Sequence, residues 1–529
     1  MQLSVRDSKY HDVVNEVLQK HLSPEDQYEI AAILEANGWN DARAAKEFGV
    51  EDIFELAGEI WRISRQNISA RAFADVPRKS IPAYLYMVIR SFFRGTIFAL
   101  PMTISVLAML TMNFSMSSYI GLTLEVATSI AIGTIMSFMA VGGFAQAIAR
   151  RGFLYINLGN YNLARRVVFY LVRVGYVVCI TAALFFIIFN LFFSIFPYRM
   201  LFVIIIFFFF LSAIWLSFTI FYVLGKEIVI PLLLVIGIAF VFVLFRLFGI
   251  DVIIAQLISL GIVSILGALV ALRYFKKMEK KSGKALNVSA MPRTAITIYT
   301  VLPYFVYGFL YFSFLYTDRI IAWSTDTQFM PYIIWFRGAY ELGLDYALFA
   351  LIIPMGLIEV VISELMGNIE KNQKNFSMHE IGLMNRMSLR SYFLRMIIVA
   401  VFSLISSAAV YYSVKHVHLL SFFPVHDPLI SSNTTNFVFI IGLIGFTILC
   451  IGLMNALVLF CFSHPENATR AMLWAILSDI VLGFLLSRWF DHTYAVFGFL
   501  LGAIIFTVMT SKAAFRLLEH LDYYLYSNA

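Results

Sequence analysis

The residues that could do chemistry in this chain are charged groups set inside apolar stretches. Glu125, Arg173, Arg246, Arg337, Glu341, Asp345, Glu359 and Asp479 all fall in runs made mostly of Leu, Ile, Val and Phe. Where such a run is embedded in lipid, an ionisable group at its centre costs roughly 2.5–3.5 kcal/mol on insertion scales, so it marks function by default. The densest group is Arg337, Glu341 and Asp345. Their spacing of four puts them on one helix face. Tyr340 adjoins them, and Pro354-Met355-Gly356 predicts a bend further on. Such a stripe suits a water-filled cavity or an intrahelical Arg–Glu pair facing the bundle. Three ionisable groups exceed what one pair needs, which favours the cavity. Asp479 stands alone and reads equally well as structural or functional.

Other chemistries have no motif here. The chain holds no G-x-x-x-x-G-K-[ST] phosphate loop, no H-E-x-x-H, no Cys/His pair at zinc spacing and no G-x-S-x-G. Nothing in it argues for an enzyme or a cofactor. The nine histidines are scattered. His416, His418 and His426 share one loop, where solvated histidines are more common than metal ligands. Cys179, Cys450 and Cys461 lie in apolar segments, so a disulfide framework is not expected.

The elements that must position the charges are membrane helices. Of the 529 residues, 61% are hydrophobic and only 13% charged, about half the charged fraction of a soluble chain. Several apolar runs exceed the ~20 residues that cross a bilayer. They are continuous rather than alternating, as in Ile204 to Phe210, so they read as helices and not barrel strands. The expected architecture is an all-α polytopic membrane protein with about twelve spans. These are 92–115, 119–146, 167–196, 200–224, 227–249, 251–275, 295–317, 330–361, 393–414, 434–461, 468–488 and 492–514. Residues 1–80 read as a small helical soluble domain and linker. Within it, Ser23-Pro24-Glu25-Asp26 opens a helix, Asn37-Gly38 closes it, Asn40 or Asp41 caps the next, Gly49 ends that one, and a last helix covers about Glu51 to Ile63. Ile33, Leu34, Phe48, Phe54 and Trp61 form its expected seam. With no cleavable signal in view, the first span is expected to act as the targeting signal.

The net charge is +7, and its placement argues against nucleic acid as a partner. Alternate loops carry Arg150, Arg151, Arg165 and Arg166, then Lys226, then Arg273 to Arg293, then Lys371 to Arg395, then Arg470. The intervening loops hold only Arg199, Arg319, Lys415 and Arg488. The positive-inside rule makes the first set cytoplasmic, and with it both termini. The basic segment 276–294 divides the membrane region into two expected six-helix bundles, 81–275 and 295–529.

The region from about Pro77 to the C-terminus resembles the Pel exopolysaccharide transporter family, within the MOP flippase superfamily. The resemblance rests on Asp318-Arg319-Ile320-Ile321-Ala322-Trp323. It rests too on Arg337 followed by Ile352-Ile353-Pro354-Met355-Gly356 and Glu364, on Gly452-Leu453-Met454-Asn455, and on the tail Leu517 to Tyr523. The extra N-terminal residues and the acids Glu341 and Asp345 depart from the family pattern. The resemblance implies two bundles around a central cavity in a bacterial inner membrane. It implies a polysaccharide substrate, and a cytosolic glycosyltransferase and other secretion subunits as partners. The expected path residues are Arg337, Tyr340, Glu341, Asp345, Glu364, Asn455, Asp318, Arg319 and Trp323, with Asp318 and Arg319 shaping an exit. The alternatives are a lipid-linked oligosaccharide flippase of the same fold, or a non-transporting scaffold that recruits an enzyme.

Overall fold

The computed structural model describes residues 10, 13–14, 17, 27–36, 39–72, 81–97, 100–119, 121–157, 160–281, 294–325, 333–375, 381–416, 430 and 432–526. Ser23 to Asp26, Asn37-Gly38, Lys284, Arg293, His418 and His426 lie outside them. The described residues form helices with no strand; a single isolated bridge joins Phe114 and Tyr119. By contacts the chain forms two compact units, 1–83 with 368–384, and 84–367 with 385–529.

The N-terminal unit holds α1 (Gln27–Ala36), α2 (Asp41–Phe48) and α3 (Ile53–Ala72). Asn40 caps α2 by accepting from the Arg43 amide at 2.9 Å, and Gly49 ends it with φ 76°, a left-handed conformation that favours glycine. The core gathers Val14, Val17, Ile30, Leu34, Trp39, Ile53, Leu56 and Ile60. Ile33, Phe48 and Trp61 pack against it. Phe54 departs from the expected seam and is half exposed. α3 runs nine residues beyond the expected end at Ile63.

The larger unit is the membrane protein proper. Its helices are α4 (Ile81–Thr96), α5 (Leu100–Met112), α6 (Leu124–Asn157), α7 (Tyr161–Phe193), α8 (Tyr198–Val223) and α9 (Val229–Phe242). They continue with α10 (Val252–Lys281), α11 (Thr294–Trp323), α12 (Gly338–Leu348), α13 (Ile352–Asn375), α14 (Ile381–His416) and α15 (Asn433–Cys461). The last are α16 (Pro465–Trp489), α17 (Val496–Glu519) and α18 (Leu521–Tyr526). Among the described residues, eleven helical stretches are long and apolar enough to cross a bilayer, with α12–α13 counted as one. The chain is therefore a multi-pass membrane protein.

Two expected spans are corrected. Residues 92–115 are not one helix: α4 and α5, of 16 and 13 residues, flank a break, with Pro101 in the first turn of α5. Proline disfavours helix in the residue before it and is best tolerated at a helix start. The span placed at 330–361 begins at Gly338, and a 3₁₀ turn (Phe349–Leu351) separates α12 from α13. Pro354 lies in the first turn of α13, where its missing N–H costs little.

Glycines set the closest approaches. A Cβ on Gly308 of α11 would lie 2.3 Å from the Gly142 carbonyl of α6. One on Gly95 of α4 would lie 2.4 Å from the Met355 carbonyl of α13. Beside the second contact, Arg94 pairs with Glu227 at 3.1 Å and with Glu359 at 3.8 Å. α15, α16 and α17 pack together with α11, and α12 packs on α15; these are the helices that hold the charged site.

Candidate functional site

The site is built at the end of α11. Asp318 and Arg319 are consecutive there, so their side chains diverge by about 100° around the helix. Arg319 turns to α12: its Nη1 donates to Glu341 Oε2, and to Asp345 Oδ1 at 3.1 Å. Glu341 and Asp345 are four apart on α12, so one guanidinium reaches both. Trp323, one turn beyond Arg319, donates its indole N–H to Glu341 Oε1 at 2.9 Å. Asp318 turns the other way and accepts from the Tyr340 hydroxyl at 2.7 Å. Asp318, Arg319, Trp323, Tyr340 and Glu341 are all buried, while the Asp345 side chain is about a third exposed (31%).

Asp479, on α16, completes the group. It is fully buried, acts electrostatically on Asp318, and neither of its carboxylate oxygens meets a hydrogen-bond partner among the described residues. Asp318 Oδ1 is likewise unpartnered. Space for the Asp479 carboxylate exists because its neighbour on α17 is a glycine: a Cβ on Gly498 would lie 2.4 Å from Asp479 Oδ1. Arg488, near the end of α16, donates to the carbonyls of Ile321 at 3.1 Å and Ser324 at 2.9 Å. These belong to the end of α11, where a cation complements the helix dipole. α16 and α11 are therefore fastened at this end, which holds Asp479 and Asp318 in register.

Four carboxyl groups, those of Asp318, Glu341, Asp345 and Asp479, thus share one guanidinium, Arg319. Glu341 and Asp345 are satisfied by it. Asp318 and Asp479 keep three buried oxygens with no hydrogen-bond partner, and neither is in an ion pair among the described residues, although Asp318 lies in the field of Arg319. An unpaired buried carboxylate is unfavourable unless it binds a proton or a cation. The arrangement can hold and release one positive charge.

Beside Arg319 runs an aromatic wall. The Arg319 guanidinium lies 5.2 Å from the Tyr316 ring. Phe138 of α6 stacks on Tyr316 at 5.7 Å and on Phe312 at 5.4 Å, and meets Trp215 of α8 at 4.7 Å. Tyr307 and Tyr311 stack further along α11 at 6.2 Å. Phe138, Trp215, Tyr311, Phe312 and Tyr316 are all partly exposed.

The expected path residues divide accordingly. Six of them, Asp318, Arg319, Trp323, Tyr340, Glu341 and Asp345, come together. Arg337 does not share their face: it precedes the first turn of α12 at φ −109°. It donates to the Thr325 carbonyl at 2.6 Å and lies over the Trp335 ring at 4.3 Å. Neither expected reading of the stripe describes its pairing, because the cation for Glu341 comes from a different helix. Glu364 is elsewhere on α13, where it accepts from the Tyr84 hydroxyl and pairs with Arg395 at 3.6 Å. Asn455 ties three helices, accepting from Tyr392 of α14 at 2.7 Å and donating to Ser511 of α17 at 2.8 Å. Of the other charges in apolar runs, Glu125, Arg173 and Arg246 are exposed. Asp479 is the residue that sequence reasoning left undecided; its signal was a lone acid in a span, and its partner lies 161 positions away on another helix.

The fold is that of the MATE transporters. The bent form of the Vibrio cholerae MATE transporter VcmN superposes with a TM-score of 0.54 at 13% identity, covering 83% of this chain and 99% of that one. An outward-facing multidrug resistance MATE family transporter of the MOP superfamily gives 0.53 at 12% identity, over 82% and 96%. The eukaryotic MATE transporter AtDTX14 gives 0.51 at 15% identity, over 82% and 97%. No protein-family model matches the sequence, and no curated relative does.

Proposed function

We propose that this protein is a cation-driven transporter that carries an exopolysaccharide of the Pel type across the bacterial inner membrane. The observation behind this reading is the charge imbalance of the buried site. Two carboxylates in no ion pair among the described residues, at the junction of α11 and α16, are costly in a protein that only needs to span the bilayer. In a transporter they have a use. Uptake of one proton or alkali cation by Asp318 and Asp479 removes the repulsion between two helices, and release restores it. Such a switch biases one arrangement of α16 and α17 against α11 over another.

The aromatic wall fits a sugar polymer. Flat rings such as Phe138, Phe312 and Tyr316 offer faces to pyranose C–H groups, and Asp345 offers a partly exposed acceptor for hydroxyls. A lipid-linked oligosaccharide fits less well, because a pyrophosphate needs unengaged cations and Arg319 is already bound to two carboxylates. In this reading the bundles 81–275 and 295–529 rock about the wall. Both termini face the cytoplasm, and residues 1–80 dock the cytosolic glycosyltransferase that feeds the polymer or another secretion subunit.

The test is secreted polysaccharide beside membrane abundance for Asp318→Asn and Asp479→Asn, with and without an ionophore that collapses the ion gradients. Loss of export at normal abundance, matched by the ionophore in the parent protein, supports the reading. Full export by both variants overturns it.

A further inference from the structure

We infer that the end of α10 is a binding site for the headgroup of an anionic phospholipid of the surrounding bilayer. Arg273, Lys276, Lys277 and Lys280 are exposed at positions i, i+3, i+4 and i+7 of one helix, so they share a face. They line a cleft of about 450 Å³. Four cations crowded on under two turns repel one another, and an anion seated among them offsets that repulsion.

The same face also says what anion sits there. Ile258, Ile265, Leu269 and Leu272 are exposed apolar residues at spacings of seven, four and three. Continuing by four reaches Lys276 and then Lys280. One stripe therefore runs unbroken from exposed aliphatic residues to ammonium groups. The opposite face, with Leu260, Val263, Ala271 and Phe275, is buried in the protein. Phe275 is held there against Phe169 at 5.6 Å, so the cations cannot rotate inward. A molecule lying along the stripe meets hydrocarbon first and cations last, which is the order of an acyl chain and its phosphate. The occupant is a lipid with net negative charge, because a zwitterionic headgroup would bring its own cation to the cluster.

The experiment uses the purified full chain in detergent, with thermal unfolding and lipid retention by native mass spectrometry as readouts. The probes are phosphatidylglycerol, phosphatidylcholine and inorganic phosphate. Phosphatidylglycerol is expected to raise the unfolding midpoint saturably and to stay bound; the other two are not. Each cation near an anionic surface is worth roughly fivefold in affinity. Lys276→Gln/Lys277→Gln/Lys280→Gln should therefore weaken phosphatidylglycerol by about a hundredfold, and the matching triple Lys→Arg protein should keep it. Should the glutamine triple fail to accumulate, Lys276→Gln alone reads the same site at about fivefold. Equal protection by phosphatidylcholine, protection by phosphate alone, or unchanged phosphatidylglycerol affinity in the glutamine variants would overturn the inference.

Discussion

Helices α4–α10 bury polar groups, but the ones they bury are neutral, and most of them bond to backbone carbonyls. Ser129 donates to the Glu125 carbonyl at 2.7 Å, Ser217 to Ala213 at 2.9 Å, and Ser259 to Gly237 at 2.7 Å. Asn190 closes both its bonds on Phe196, and Gln256 donates to the carbonyls of Ser115 and Ser118. Helices α11–α17 bury similar hydroxyls and also Asp318, Arg319, Glu341 and Asp479. Among the described residues no charged side chain is fully buried in the first set. Neutral groups bonded to backbone carbonyls, of their own helix as for Ser129 and Ser217 or of a neighbouring element as for Ser259 and Gln256, are compatible with a static scaffold. Charges that depend on a partner from another helix tie local chemistry to helix position. In the proposed transporter, the chemistry that moves would belong to α11, α12 and α16.

The largest expected effect breaks the network in the charged set. Arg319→Ala leaves the buried Glu341 and the partly exposed Asp345 without a cation, a loss of about 3–5 kcal/mol for the broken buried pair with Glu341. The outcome is little folded protein in the membrane, read by abundance and thermal unfolding. Arg319→Ala combined with Glu341→Gln should recover part of it, since the orphaned charge is gone; no recovery would detach Arg319 from Glu341. A smaller effect is expected where α6 meets α11. Gly308→Ala places a methyl against the Gly142 carbonyl, and overpacking of this kind costs about 1–3 kcal/mol. A Gly308→Ala protein with unchanged thermal stability would show that these helices have room to part.

Next come the neutral ties. Gln256→Leu removes two hydrogen bonds to the loop after α5, worth about 0.5–1.5 kcal/mol each. It should lower thermal stability modestly and leave export intact. If export fell as far as in the aspartate variants, the contrast between the two sets of helices would collapse. The smallest effect is expected at Arg337. Glu341 and Asp345 take their cation from Arg319, so Arg337→Ala should leave that pairing intact, cost less than Arg319→Ala and keep most export. A protein lost from the membrane would instead tie Arg337 to the charged network.

Much of this was legible in the sequence because the bilayer imposes one-dimensional rules. Continuous apolar runs longer than a bilayer is thick gave helix existence, and the same runs marked each charge in them as anomalous. Glu341 and Asp345 were found together because a spacing of four is local to a helix. Their cation was not, because Arg319 belongs to α11 and only packing brings it across; the local rule offered Arg337 instead, and the helix starts one residue too late for that. Asp318 and Arg319, expected at an exit, carry the center of the cluster. Asp479 lacked any local partner, and its pocket depends on Gly498 of a third helix. The helix end at Thr96 was missed because apolar composition conceals a boundary that Pro101 alone announces.

The account rests on Asp318 and Asp479 holding one exchangeable positive charge. The direct measurement is cation uptake by the purified protein in proteoliposomes, with labelled sodium ion and a pH-sensitive dye as parallel probes. The parent protein and Asp318→Asn/Asp479→Asn are compared at matched thermal stability. The double variant should remain folded, because neither carboxylate is in an ion pair among the described residues and an asparagine at 318 can still accept from Tyr340. The account predicts saturable uptake of one of the two cations by the parent protein and its loss in the double variant. Uptake by the double variant equal to that of the parent would contradict it.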